Sequence, residues 1–240
     1  MLTSDKLKEL AIKNQTTELN IRREYIQHVF LSYFYRQKES KQIFFKGGTS
    51  LRILFNSPRF SEDLDFSSSL RGIKEIETVV INTLEEIERE GIQTEIVESK
   101  KTTGGYLAII SFELSSHSVE IQIEISNRGK DSEGEVVTIV SDFIPSYTVI
   151  QLKLELLTEE KLEALLSRKK PRDFYDLYFM LRAKNLISQK QKNVLSKALV
   201  ELKKTHINFE KELRQFLPKT HWTIIRNFKS ILEKEIQKFI

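Results

Sequence analysis

The sequence predicts an α+β chain: a sheet with flanking helices, followed by a C-terminal helical bundle. Three observations lead there. Polar Glu120, Gln122 and Glu124 alternate with Val119, Ile121, Ile123 and Ile125, the period of a half-buried strand, and similar runs precede them at 92–98 and 106–114. Apolar stripes of helical period cover 16–39 and 72–90. After Pro145 strand patterns give way to helical ones, which sets domains at 1–147 and 148–240.

The elements follow in order. Leu19, Tyr25, Ile26, Val29, Phe30, Tyr33 and Phe34 form one broad stripe of a helix over 16–39. Ile43, Phe44 and Phe45 form a short buried strand, broken by Gly47-Gly48. Thr49 or Ser50 opens a helix through Leu51, Ile53, Leu54 and Phe55, which Pro58 ends. SEDLDFS (61–67) is a loop leading into a strand, and the helix over 72–90 stops at Gly91. The strands at 106–114 and 118–126 read as a hairpin, and Val136–Val140 as an edge strand. From residue 148 onward helices are predicted, with breaks near Pro171, Asn185 and Pro218.

Composition narrows the class. At 240 residues, 40% hydrophobic and 30% charged, the chain is long enough for a proper core and is neither disordered nor membrane-embedded. It has no cysteine, so disulfides and thiolate metal sites are excluded. The charged N-terminus has no signal-peptide core and no apolar run approaches membrane-spanning length, which together predict a cytoplasmic protein with no membrane partner. The charge is unevenly divided: residues 161–240 carry 19 Lys and Arg against 8 Asp and Glu, whereas residues 1–160 are net acidic. A basic half suits a polyanion, although Lys-rich solvated helix faces produce the same count.

The densest chemical signal is FFKGGTSLRILFNSPRFSEDLDF (44–66). Gly47 and Gly48, between strand and helix, allow close backbone approach to a ligand, and the helix N-terminus offers N–H groups to a phosphate. Thr49 and Ser50 add hydroxyl donors. Asp63 and Asp65, two apart in an extended segment, turn their carboxylates to one face while Leu64 and Phe66 turn inward. Convergent carboxylates repel unless a cation lies between them. Mg²⁺, with Mn²⁺ as an alternative, binds such hard oxygens together with substrate phosphates. A third carboxylate from a neighbouring strand is expected, and Glu124, centred between Ile123 and Ile125, is chosen over Glu120.

At these residues the chain resembles the AbiEii family of nucleotidyltransferase toxins. The matching pieces are KGGTSLR, RFSEDLDF, IQIEISNR and EEKLEALLSRKKPRDFYDLYFM. The resemblance implies the mixed sheet of nucleotidyltransferases and a metal site at Asp63 and Asp65. It also implies phosphate contacts from Gly48 and Thr49, with roles for Lys161 and Asp176. It further implies an antitoxin encoded alongside, and a tRNA acceptor as in related toxins.

The helical motif also has a reading from its own residues. Lys161 flanks the buried stripe of Leu162, Leu165 and Leu166, where a lysine is ordinarily a surface residue; functionally it would neutralise triphosphate charge. Pro171 suits a first helical turn, where the dipole explains Asp173, and Asp176 is left to orient Lys161 or an acceptor hydroxyl. Four histidines share no metal spacing, and neither G-x-S-x-G nor a complete P-loop is present. Phe174, Tyr175, Tyr178, Phe179 and Trp222 read as core rather than base-stacking residues. The expected activity is transfer of NMP from an NTP to RNA. Nucleotidyl transfer to a protein or small molecule, and a non-catalytic nucleotide- or partner-binding module, are the alternatives.

Overall fold

The computed structural model describes residues 2–70, 72–114, 117–127, 133–183, 186–187 and 191–240. It divides into two compact units: Met1–Asn56 with Phe60–Lys153, and Ser57–Arg59 with Leu154–Ile240.

The first unit is built on a seven-stranded mixed sheet in the order β3-β4-β5-β2-β1-β7-β6. Its strands are β1 (Ile43–Lys46), β2 (Leu64–Ser68), β3 (Thr94–Thr102), β4 (Gly105–Leu114), β5 (His117–Ser126), β6 (Gly134–Ile139) and β7 (Tyr147–Leu152). β2, the middle strand, runs antiparallel to β1 and parallel to β5.

Helices α1 (Ser4–Lys13), α2 (Glu18–Phe34), α3 (Gly47–Phe55) and α4 (Ile73–Arg89) complete this unit. Val119, Ile121, Ile123 and Ile125 of β5 join Leu64, Phe66 and Phe45 in one apolar cluster with Ile26, Phe30, Phe34, Val80 and Leu84 of α2 and α4. Alternation along β5 leaves Glu120 and Glu124 exposed on the other face.

Several boundaries differ from those the sequence predicts. α2 starts after Thr17, whose side chain caps it, and stops at Phe34. α3 begins at Gly47 itself, and left-handed Asn56 (φ 58°) ends it before Pro58. α1, not anticipated, buries Leu7, Leu10 and Ala11. The largest correction is β7, since residues from 148 were expected to be helical. Beside β1 on one flank and β6 on the other, its interior position buries Val149, Gln151 and Leu152. Polarity does not follow burial along it, since Gln151 is buried while Ile150 is only half-buried, so the sequence shows no period of two.

The second unit comprises Ser57–Arg59 with α5 (Leu154–Arg168), α6 (Pro171–Arg182), α7 (Lys192–Lys204), α8 (Phe209–Leu213), α9 (Trp222–Arg226) and α10 (Phe228–Gln237). Leu162, Leu165, Phe174, Leu177, Leu195, Leu202 and Leu232 form its core. Lys169, at φ 51°, breaks the chain between α5 and α6, and Pro171 takes the first turn of α6. The break expected at Asn185, the turn at Ser115 and Ser116, and Arg128 of IQIEISNR lie outside the described residues.

Candidate active site

The centre of the sheet aligns three charged residues. Lys46 of β1 is registered with Asp65 of β2, and Asp65 with Glu124 of β5. Registered side chains share a face, so these three form a row opposite the face of Leu64 and Phe66. Glu120 pairs with Ser111 of β4, outside the Leu64–Ser67 stretch where β2 meets β5. Cross-strand register therefore puts Glu124, rather than Glu120, beside Asp65. Gln122 donates a 2.6 Å hydrogen bond to Glu124 Oε1 on the same face.

Gly47 explains how Asp65 meets α3. Its φ is +86°, and a Cβ there would lie 2.0 Å from Asp65 Oδ2. The carboxylate thus rests against a bare Cα at the first residue of the helix. Gly47, Gly48, Thr49 and Ser50 form the first turn, whose N–H groups precede the intrahelical ladder and suit an anion. The hydroxyls that the sequence offers as phosphate donors are bonded to backbone carbonyls in this structure. Thr49 and Ser50 are fully buried; Thr49 Oγ1 donates to the Asp63 carbonyl and Ser50 Oγ to the Gly47 carbonyl at 3.0 Å. A buried hydroxyl must satisfy itself, and these do so on backbone. At this turn a phosphate would meet main-chain N–H groups instead.

The loop bearing Asp63 is pinned from several sides. Gln27 Nε2 of α2, itself buried, donates to the carbonyls of Ser61 at 2.9 Å and Glu62 at 3.2 Å. Arg23 pairs with the Glu62 carboxylate at 2.7 Å. With Thr49 on the Asp63 carbonyl, three consecutive residues before β2 are held in place.

Among the described residues no three Asp, Glu or His side chains converge tightly enough to enclose an ion. Two adjacent carboxylates, Asp65 and Glu124, with Asp63 just before them, instead form an open hard-oxygen set. That chemistry fits Mg²⁺ or Mn²⁺, which keep water and share their coordination with substrate phosphates.

In the helical unit, Asp176 and Lys161 meet directly. Lys161 Nζ donates to Asp176 Oδ2 at 2.8 Å, and Arg59 holds the same carboxylate by Nε on Oδ1 at 2.8 Å and Nη2 on Oδ2 at 2.9 Å. Lys161 is buried, not the surface lysine expected from its place beside the leucine stripe. The ion pair with Asp176 draws it in. Burial drives the Asp176 carboxyl upward, but Arg59 and then Lys161 outweigh it and hold the group down at about 2. Asp173 has the structural task expected of it: it accepts from the Lys170 N–H at 3.1 Å and pairs with Arg168 at 2.8 Å.

Three residues of this architecture escaped the sequence reading: Lys46, Gln27 and Arg59. Lys46 adjoins the glycines and was legible as a basic residue at a strand end. Gln27 and Arg59 carried no local signal, because their partners lie 34 or more positions away along the chain.

Solved structures share this fold. The nucleotidyltransferase toxin MenT4 of Mycobacterium tuberculosis superposes with a TM-score of 0.63 at 18% identity, covering 100% of this chain and 93% of that one. A nucleotidyltransferase candidate from Helicobacter pylori gives 0.52 at 19% identity, over 93% and 99% of the two chains. The Helicobacter pylori protein JHP933 gives 0.51 at 21%, over 93% and 95%. Likeness at these identities establishes the fold alone. No curated protein matches the chain. The family model for the nucleotidyl transferase AbiEii toxin of type IV toxin–antitoxin systems, however, matches residues 29–238, spanning both units. With the Gly-Gly turn set against Asp65 inside that match, the chain belongs to the AbiEii family of nucleotidyltransferase toxins.

Proposed function

We propose that this toxin transfers a nucleoside monophosphate from an NTP to an RNA acceptor, most simply a tRNA, with Mg²⁺ or Mn²⁺ as cofactor. The observation that carries the reading is the Asp65 carboxylate lodged against Gly47, at the N-terminus of α3 and beside Glu124. Anion-binding N–H groups and cation-binding carboxylates are thereby neighbours, as a nucleoside triphosphate with its metal requires.

The triphosphate lies along the Gly47–Ser50 turn and accepts from backbone N–H groups. Asp63, Asp65 and Glu124 are the residues that would hold the metal, which when bound neutralises phosphate charge and favours the leaving pyrophosphate. Lys161, oriented by Asp176, is the cation assigned to the triphosphate. An acceptor hydroxyl attacks the α-phosphorus, the bond to the β-phosphate bridging oxygen breaks, and pyrophosphate leaves. Positioning and electrostatics supply most of the rate, since the protein forms no covalent bond in this scheme.

The RNA acceptor is supported by the 19 Lys and Arg against 8 Asp and Glu in residues 161–240. A reaction using NTP and RNA belongs in the cytoplasm, and among the described residues no helix is long and apolar enough to cross a membrane. A cognate antitoxin is the partner expected of a type IV system.

The test is incubation of the purified chain with total RNA, Mg²⁺ and each α-³²P-labelled NTP in turn, with Asp63→Ala alongside. The expected result is a tRNA-sized labelled band that the variant fails to produce. Label on protein or small molecules instead would replace RNA as the acceptor, and full activity in Asp63→Ala would overturn the metal site.

A further inference from the structure

We infer that the outer face of β3 and β4 receives the last nucleotide of the RNA acceptor: Leu107 and Ile109 bed its nucleoside, and Lys100 takes the phosphate beyond it. The inference deepens the RNA transfer proposed above and rests on it. Every residue it uses belongs to the sheet unit.

Register extends the row of the candidate site across five strands. Lys46 of β1 is beside Asp65 of β2, Asp65 beside Glu124 of β5, Glu124 beside Leu107 of β4, and Leu107 beside Lys100 of β3. Registered side chains share a face, so a cation, two carboxylates, an apolar side chain and a second cation follow one another on one surface. Two residues along, Gln122, Ile109 and Glu98 form a parallel row on the same face.

Reaction geometry gives the row a direction. The anion-binding turn starts at Gly47, directly after Lys46, at the β1 end. With the leaving pyrophosphate there and the reacting phosphorus over Asp65 and Glu124, in-line attack brings the acceptor hydroxyl from the opposite end, across β5 and β4.

Two features of that end fit a nucleotide. Leu107 and Ile109 are half-buried, whereas Tyr106, Ala108 and Ile110 on the core side of β4 are buried. Among the described residues, the half-buried side chains packed on the core of the helix-covered face do not include these two. A solvated sheet face ordinarily carries polar side chains, so neighbouring apolar ones flanked by a few polar groups suit a ligand instead. The second feature is a one-residue shift of register between Ile96 and Glu98. Without it Lys100 would pair with Tyr106 on the core side; with it Lys100 joins the row of Asp65 and Glu124. Such shifts re-aim side chains. Strands about 4.8 Å apart put β3 about 10 Å from β5, leaving the width of one nucleoside between a hydroxyl at Glu124 and a phosphate at Lys100. Lys100 is paired with Glu98 at 2.5 Å, with 53% and 38% of the two side chains exposed. An ion pair so open to water contributes little, and the ammonium can turn from it to a phosphate.

The test compares wild type with Lys100→Gln, Leu107→Thr and Lys101→Gln. Lys101 is also exposed but is registered with Tyr106 on the other face, which makes it the control. KM is measured separately for total RNA and for the α-labelled NTP, over a salt series, with thermal unfolding recorded for each variant. Lys100→Gln and Leu107→Thr are each expected to raise the KM for RNA about fivefold and to move that for NTP less than about twofold. Lys100→Gln should also remove about 0.7 from the slope of log KM for RNA against log salt, the share of one phosphate on a single strand. Lys101→Gln should change neither constant. An unchanged KM for RNA in Lys100→Gln and Leu107→Thr, or an equal rise in Lys101→Gln, overturns the docking strip and leaves RNA transfer standing. A rise in the KM for NTP in place of that for RNA overturns it too, and gives the strip to the nucleoside of the NTP. A wild type that labels no RNA removes the RNA reading, and the strip with it.

Discussion

Gly47→Ala tests the geometry at the centre of the candidate site. Two costs follow from the structure. The first is backbone strain: φ of +86° lies in the left-handed region, where an L-residue pays about 1–2 kcal/mol. The second is collision. The new Cβ would stand 2.0 Å from Asp65 Oδ2, 2.6 Å from its Cβ and 2.7 Å from its Cγ, so the side chain cannot escape by rotating one atom away. Restoring an ordinary contact moves the carboxylate by roughly 1 Å, a misplacement that costs on the order of a hundredfold in rate at a reacting centre. The expected outcome is a fold weakened by about 1–3 kcal/mol in urea unfolding. Transfer from an α-labelled NTP should fall about a hundredfold per folded molecule. An equal loss of stability with transfer at the wild-type rate would refute the reasoning, since it would mean that Asp65 need not stand where it does.

Thr49→Val removes the hydroxyl that donates to the Asp63 carbonyl and should destabilise by about 1–3 kcal/mol. Thr49→Ser should recover most of that loss in the same unfolding assay. His28 is pushed down to about 3 by burial and then by the Arg52 charge. The unfolded chain takes up a proton near pH 6.5 that the folded one refuses, so stability is complete above that pH and is lost as pH falls toward 3. His28→Gln should therefore flatten the stability profile between pH 6 and 4 by about 1.4 kcal/mol per pH unit, and an unchanged slope would deny that burial. Phe228, 1% exposed and in ring contact with Tyr175, Tyr178 and Phe209, should cost about 3–5 kcal/mol as Phe228→Ala, measured by urea unfolding.

Local pattern was enough for most of the sheet and for the chemistry-bearing segment. β5 alternates without interruption, so its buried and exposed faces are written in the chain. Asp63 and Asp65 are two residues apart, and Gly47 and Gly48 precede Asp63 by 16 and 15 residues, at the other side of one helix. Spacing this short survives as a motif, which is why the family resemblance was legible from KGGTSLR and RFSEDLDF. β7 failed for the converse reason: the polar Gln151 is on its buried side and the apolar Ile150 on its more open side, so polarity does not reveal its period.

Distances between remote residues had to come from the folded chain. Glu124 could be favoured over Glu120 by its position in a strand, but its place beside Asp65 depends on the parallel register of β2 and β5. That the Thr49 hydroxyl donates to the Asp63 carbonyl, 14 positions away, was visible only in the folded chain. Arg59 sits 117 positions from Asp176, and Lys161 reads as a surface lysine until that carboxylate is placed beside it. Periodicity and short motifs record which way a side chain faces along its own element. Which side chains then share a carboxylate, a register or a close approach to a glycine is set by contacts between elements, and no local pattern encodes those.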